Sequence, residues 1–286
     1  MSKIFDHDII PRPYDIKPLS ESGDLYEKIK ERLDQKAKPI GSLGRLEWLA
    51  HRIGMILNTD DPHLNNASVL IFAGDHGATE EGISSYPKEA TAGMVQNFFD
   101  GGAAVNVLAR QHQLELFVVD AGVDADFDDY DILVNTKIRR GTRNYFREPA
   151  MTASECRTAI DEGSNLVEQL SIERTNCILP GDMGIGNTAS SALIMHLITG
   201  IPLEQCVGSG SGLDPEGVDQ KLELLRKALD TGPRPEEPLE ILACFGGYEI
   251  AMLVGAYLKA ASENMVILVD GFITTTALVV ARELYP

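Results

Sequence analysis

The sequence predicts a doubly wound α/β fold, a mostly parallel sheet between two layers of helices, with a small helical appendage from the N-terminus. Three observations predict it. Short apolar runs recur along the chain and end in Gly or Asp. Segments with helical spacing of apolar residues separate them, which is the order of β–loop–α units and makes the strands parallel. Gly, Ala, Val and Leu are plentiful while aromatics make up only 6%, which suits helices packed closely on both faces of such a sheet. With 286 residues, 44% of them hydrophobic, the chain can bury a substantial core.

Residues 1–36 are read as the N-terminal helical segment and 37–286 as the α/β nucleotide-binding domain. Pro11, Pro13 and Pro18 argue for an extended lead-in, and a helix follows over about 20–35. After the loop KPIGSLG, Leu46, Leu49, Ile53 and Ile56 fall at helical spacing. Residues 68–73 read as a strand ending in Gly74-Asp75-His76-Gly77. One helix is expected over about 88–111, with Gly101 and Gly102 inside it. The next strand is 114–119, closed by Asp120-Ala121-Gly122. A helix starts near Thr152, with Ser154 and Glu155 as early polar residues. Residues 177–179 end a short strand, followed by helices over 187–197, 215–229 and 250–261. Residues 266–269 read as a strand and 274–283 as the last helix.

The formal net charge of -18 argues against a nucleic-acid or anionic-membrane partner. An anionic small molecule would need a local positive site. Cys156, Cys177, Cys206 and Cys244 form no C-x-x-C pair and lie near no His at ligand spacing. The economical reading is a reduced cytoplasmic protein without structural zinc. The N-terminal MSKIFDHDIIPRPYDI is charged early and lacks the apolar core of a signal peptide. Asp270 and a run of threonines interrupt the longest apolar stretch, over 265–280, which reads as strand–turn–helix rather than a membrane span.

In such folds ligands bind beyond the carboxyl ends of the strands. Four loops there carry unusual clusters. In Gly181-Asp182-Met183-Gly184-Ile185-Gly186-Asn187-Thr188 a strand leads in and a helix leaves. Glycines permit close backbone approach and the helix start offers free N–H groups, so the turn suits a phosphate; taken alone, such a turn is more often purely structural. It lacks the Lys of a Walker loop and does not match the dinucleotide fingerprint. Asp75 and His76 fit either a helix-capping turn or a functional role. Gly208-Ser209-Gly210-Ser211-Gly212 fits a flexible loop, Lys221 a solvated surface lysine, and Glu249 an exposed turn. Asp270 fits a strand-end cap, but burial near other acids would perturb it.

Ordered segments match a known family. They are KPIGSLGRLE (38–47), IFAGDHGATEEGISSYPKEATAGMV (71–95), GGAAVNVLARQ (101–111), VVDAGVDAD (118–126) and RRGTRN (139–144). They continue with PAMT (149–152), GDMGIGNTASSAL (181–193), VGSGSGLDPEGVDQKLELLRKAL (207–229), FGGYEIAMLVGA (245–256) and VDGFITTTAL (269–278). Together they resemble the nicotinate-nucleotide–dimethylbenzimidazole phosphoribosyltransferases, whose fold is Rossmann-like and three-layered. The resemblance implies transfer of ribose phosphate from nicotinate mononucleotide to an aromatic lower-ligand base of cobalamin-type cofactors, with inversion and without cofactor or metal. It also implies a dimer, either with itself or with a homologous subunit.

Residue by residue, it implies that Gly184, Gly186, Asn187 and Thr188 form the nucleotide-phosphate loop. Lys221, Asp270 and Gly271 fall in nucleotide-site segments, and Tyr86, Met94 and Met183 match positions lining the base pocket. Asp182 stands where the family usually has Glu, and is the matched carboxylate expected to act as base. Family members continue for several dozen residues beyond the position of Pro286, through a segment resembling R-L-G-E-G-S-G that supplies the principal catalytic glutamate. The chain as given is therefore expected to bind substrates but to catalyse poorly by itself. The alternative is a catalytically deficient subunit that binds nucleotide and supports a homologous partner.

Overall fold

The computed structural model describes residues 14–232 and 234–286. The lead-in expected around Pro11 and Pro13 lies outside the described residues. Five strands form one sheet: β1 Ser68–Gly74, β2 Glu115–Gly122, β3 Leu133–Asn135, β4 Cys177–Met183 and β5 Val266–Ile267. Their order is β3-β2-β1-β4-β5, and every pairing is parallel. β1 is central and buried throughout. Its residues alternate between two cores, because successive side chains of a strand point to opposite faces. Leu70 and Phe72 enter the larger core, and Val69, Ile71 and Ala73 the smaller one.

The helices are α1 Asp24–Asp34, α2 Arg45–Ile56, α3 Ala90–Phe99, α4 Ala104–His112, α5 Ala153–Ile172, α6 Asn187–Thr199, α7 Leu203–Cys206, α8 Pro215–Thr231, α9 Pro238–Phe245, α10 Tyr248–Ser262 and α11 Phe272–Leu284. Residues of α5, α6, α9, α10 and α11 fill the larger core, and residues of α3 and α4 the smaller one. The doubly wound arrangement is therefore as the sequence predicts. α1 and α2 pack on each other, with Ile29 against the backbone at Gly54 and the Tyr26 and His51 rings in edge contact. Among the described residues no helix is long and apolar enough to cross a membrane.

Four differences from the sequence reading have local causes. The single helix expected over 88–111 is two. Gly101 takes left-handed backbone, and the Asn106 side chain accepts from Ala103 N and donates to Phe98 O, which ends α3 and starts α4. β4 runs four residues past 179, because β1 offers it partners as far as Ala73. The last strand is two residues rather than four, pairing only at its start with β4. β3 and α9 were not legible as elements. β3 follows an acidic stretch and is three residues long, and the apolar run ILACF has no period that separates a buried helix from a buried strand. Thr152 does cap its helix, exchanging hydrogen bonds with Glu155.

α10 is buried nearly all round. It crosses α5 where Gly163 and Gly255 face each other's helix. A methyl at Gly163 would strike the Met252 carbonyl oxygen, and one at Gly255 the Ile160 carbonyl oxygen. This close crossing brings the first turn of α10 under the carboxyl end of the sheet.

Candidate active site

From β1 the chain winds outward to β2 and β3 and then returns to place β4 on the other side of β1. The loops after β1 and β4 therefore diverge and leave a crevice at the carboxyl edge, the usual ligand position in an open α/β sheet. β1 delivers Asp75 and His76 to it; β4 delivers Asp182 and Met183, followed by the turn into α6.

That turn has little room for side chains. At Gly184 a methyl would meet the Gly74 carbonyl oxygen, and Gly186 has φ 96°, the left-handed region that favours glycine. Thr91 Oγ1 accepts from Ile185 N at 3.1 Å and fixes the turn from α3. Asn187 N and Ala189 N bond back to Gly184 O and Gly186 O, and the positive dipole end of α6 lies at this turn. Thr188 Oγ1 accepts from Lys221 Nζ at 2.9 Å. Lys221 is only 1% exposed, so it is no solvated surface lysine, and burial lowers its pKa to about 8. It forms no ion pair among the described residues, which leaves a desolvated cation beside a helix N-terminus. Gly184, Gly186, Asn187, Thr188 and Lys221 line one small cavity, closed on the far side by Ser209, Gly210 and Ser211. Five predicted residues thus meet, and the serine-glycine run is a wall of that cavity.

A second cavity of about 730 Å³ opens on the face of α3 and α4. Met94, Phe98, Leu108 and Leu268 give it apolar walls, with Asp182, Asp270 and Gly271 at one end. Its size suits a small organic ligand. Asp182 lies between the two cavities, because its Oδ2 accepts from Asn187 Nδ2 at 2.9 Å. Tyr86 and Met183 line neither cavity. Tyr86 is 54% exposed on a loop whose Ser84 lies 3.3 Å from Ser211, and Met183 packs against the smaller core.

Beneath the crevice lies a charged cluster only partly legible in the sequence. His76 Nε2 and Glu249 Oε1 are 2.6 Å apart, both side chains fully buried. His76 Nδ1 is 3.0 Å from Ser190 Oγ on α6. Burial works against a charged imidazole, but Glu249, Asp75 and Asp182 together outweigh it, and the His76 pKa is raised. Asp75 accepts from Asp124 N at 2.8 Å and is raised by burial despite its hydrogen bonds. Burial, and then Glu249, push Asp182 up to about 6, against the pull of Asn187 and His76. Glu249 is thus not on an exposed turn. The signal was there: a helix apolar on all sides is buried, so a carboxylate in its first turn is buried too. Among the described residues no group of three or more His, Cys, Asp or Glu is arranged to hold a metal ion.

The fold and site define an α/β protein with a buried lysine at a helix N-terminus, next to an apolar cavity with an acid of raised pKa at its edge. The DBI_PRT model, described as Phosphoribosyltransferase, matches residues 16–286, and the chain belongs to this phosphoribosyltransferase family. A protein of Cupriavidus necator named nicotinate-nucleotide–dimethylbenzimidazole phosphoribosyltransferase is 48% identical over 272 residues, covering 95% of this chain and 78% of that one. One of the same name from Aromatoleum aromaticum is 49% identical over 262 residues, covering 92% and 76%. The crystal structure of CobT from Thermus thermophilus superposes with a TM-score of 0.87 at 34% identity, covering 92% of this chain and 79% of that one. These relatives are named as enzymes, which favours the enzyme over the non-catalytic subunit.

Proposed function

We propose that the chain transfers phosphoribosyl from nicotinate mononucleotide to an aromatic lower-ligand base, 5,6-dimethylbenzimidazole or a phenolic relative, giving an α-riboside phosphate and nicotinate. The observation that carries this is the buried Lys221 at the α6 N-terminus, without an ion-pair partner among the described residues, in a cavity joined through Asn187 to an apolar cavity lined by Asp182. The phosphate sits at Gly184, Gly186, Asn187, Thr188 and Lys221; Asp270 and Gly271 border the ribose. Met94 faces the flat base, with Tyr86 and Met183 as outer members of the same pocket. The base nitrogen or oxygen forms the new bond to the anomeric carbon from the face opposite the nicotinate. The breaking C–N bond returns its electron pair to the pyridinium nitrogen, which needs no proton to leave. Asp182 accepts the proton of the incoming base, and the neighbouring carboxylates favour the cationic sugar of the transition state.

The residue boundaries 1–36 and 37–286 remain our division of the chain, with α1 beginning the helical segment. We also read the protein as cytoplasmic and as a dimer with itself or a homologue. The exposed Leu46 and Trp48 of α2 support a covered face there.

Lys221→Met tests the site. The variant is expected to stay folded, because it removes a buried charge, and to bind nicotinate mononucleotide about 10- to 100-fold more weakly in calorimetry, the value of a charge-assisted hydrogen bond. Wild-type affinity is expected to decline above about pH 8 as Lys221 loses its proton, and that decline should vanish in the variant. Unaltered affinity would place the phosphate elsewhere.

A further inference from the structure

Glu249 is a buried carboxylate to which the roles given above assign no part. Glu249 Oε1 is held by His76 at 2.6 Å, but Oε2 is buried with no hydrogen-bond partner among the described residues. Leaving a carboxylate oxygen so placed is costly. A buried ion pair is weak evidence of stability, since apolar side chains of like volume generally serve as well. Strained or desolvated ionic groups at a crevice point instead to function.

Geometry shows what the pair faces. A methyl at Gly74 would lie 2.6 Å from Glu249 Oε2, and one at Gly184 would lie 3.6 Å from Oε1. The same Gly184 methyl would lie 3.5 Å from Asn187 Nδ2, the group that holds Asp182 at 2.9 Å. The two pairs, His76–Glu249 and Asn187–Asp182, therefore meet across a single glycine. We propose that His76 and Glu249 are positioning residues for Asp182: His76 anchors the Glu249 carboxylate behind Asp182, and the pair governs how readily Asp182 takes the proton of the incoming base. This rests on the reading of Asp182 as proton acceptor.

The groups around Asp182 come from every neighbouring element. His76 follows β1, Asn187 lies on α6, Glu249 and the Tyr257 hydroxyl on α10, and Asp270 lines the same cavity as Asp182. Their effects have opposite signs. Glu249 holds the proton on Asp182, His76 draws it off, and Glu249 is the stronger of the two. With both imidazole nitrogens protonated, Nε2–H donates to Glu249 and Nδ1–H to Ser190 Oγ. Ser190→Ala removes one acceptor of the imidazolium and so weakens its pull on Asp182.

The experiment is a carbon-13 NMR titration of the full chain labelled at its aspartate carboxyls, with the Asp182 signal assigned by its absence in Asp182→Asn. The wild-type midpoint is expected near pH 6. Glu249→Gln is expected to move it to lower pH and Ser190→Ala to higher pH, and the acid limb of kcat/KM for nicotinate release should move the same way in each. A merely structural pair would lower rate or stability without moving either midpoint. If Glu249→Gln does not fold, Ser190→Ala decides alone. An Asp182 midpoint unmoved in the folded variants overturns the proposal. A full rate in Asp182→Asn would overturn the proton-acceptor reading itself, and is read independently of the titration.

Discussion

In the proposed reaction Asp182 is a single side chain that trades stability for chemistry. Its folded pKa, about 6, lies above the ordinary 3.8, so the folded state prefers the protonated acid. The sign follows: the ionised form is penalised fully above pH 6, and the penalty fades as pH falls toward 4. Asp182→Asn keeps the hydrogen-bonding shape without the charge. It is expected to stabilise the protein by about 1–3 kcal/mol above pH 6 and by nothing near pH 4, because one pKa unit is about 1.4 kcal/mol and the group is half-buried. It should also slow nicotinate release by about 10²- to 10⁴-fold, the usual value of general-base assistance. Thermal unfolding at the two pH values, with one rate assay, checks both. A variant stabilised equally at pH 4 and pH 7 would mean that charge is not the cause. Lys221 follows the mirror logic: its folded pKa lies below its ordinary value, so its burial penalty is full below about pH 8 and fades above it.

At the scale of elements, the site depends on how α10 is seated. Its first turn carries Glu249, and its path is set by the close crossing with α5, where Ser164 Oγ donates to Gly255 O at 3.1 Å. Gly255→Ala would drive a methyl into the Ile160 carbonyl, with backbone on both sides and no flexible group to yield. It is expected to cost about 3 kcal/mol or more and to lower activity by displacing Glu249. Gly93→Ala on α3, where a methyl meets nothing within 4 Å, is the control and should change stability by under about 1 kcal/mol. Denaturant midpoints of the two variants make the comparison. Similar midpoints would show that α5 and α10 can separate without loss. α6 depends on its turn in the same way: its N-terminus aims at the crevice because β4 continues to Met183 before the chain reverses.

For the whole molecule, the relevant quantity is charge. The chain carries a formal net charge of -18, yet its proposed ligand is an anionic nucleotide. The overall field repels that ligand, and in the proposed site Lys221 and the α6 N-terminus act only at short range, after it has arrived. Salt screens the long-range field over a Debye length of about 8–10 Å, while the buried contacts are screened far less. The association rate of nicotinate mononucleotide is therefore expected to rise between about 0.01 M and 0.15 M salt, opposite to a basic, steered binding site. Stopped-flow binding at the two ionic strengths measures it. A rate that falls with salt would reveal a positive approach path that the described charges do not account for.

Sequence by itself determined the fold class and the alternation of strands and helices, and marked the glycine-rich turn after β4. Those follow from local causes: apolar runs of strand length, helical spacing, and glycines where a strand turns into a helix. The helix start near Thr152 was legible because its polar first turn, with Ser154 and Glu155, is a few residues of contiguous chain; the capping box that Thr152 and Glu155 form appears in the structure. Tertiary structure alone decided the electrostatics. Lys221 looks like a surface charge in one dimension, since nothing beside it in sequence reveals the helices that cover it, whereas the burial of Glu249 was signalled only indirectly, by the apolar helix that carries it. His76 and Glu249 are 173 residues apart, and only the winding of the sheet and the α5–α10 crossing bring them within 2.6 Å. Burial and long-range pairing set proton affinities, and both are properties of the packed molecule, so the chemistry of Asp182 could be read only after folding.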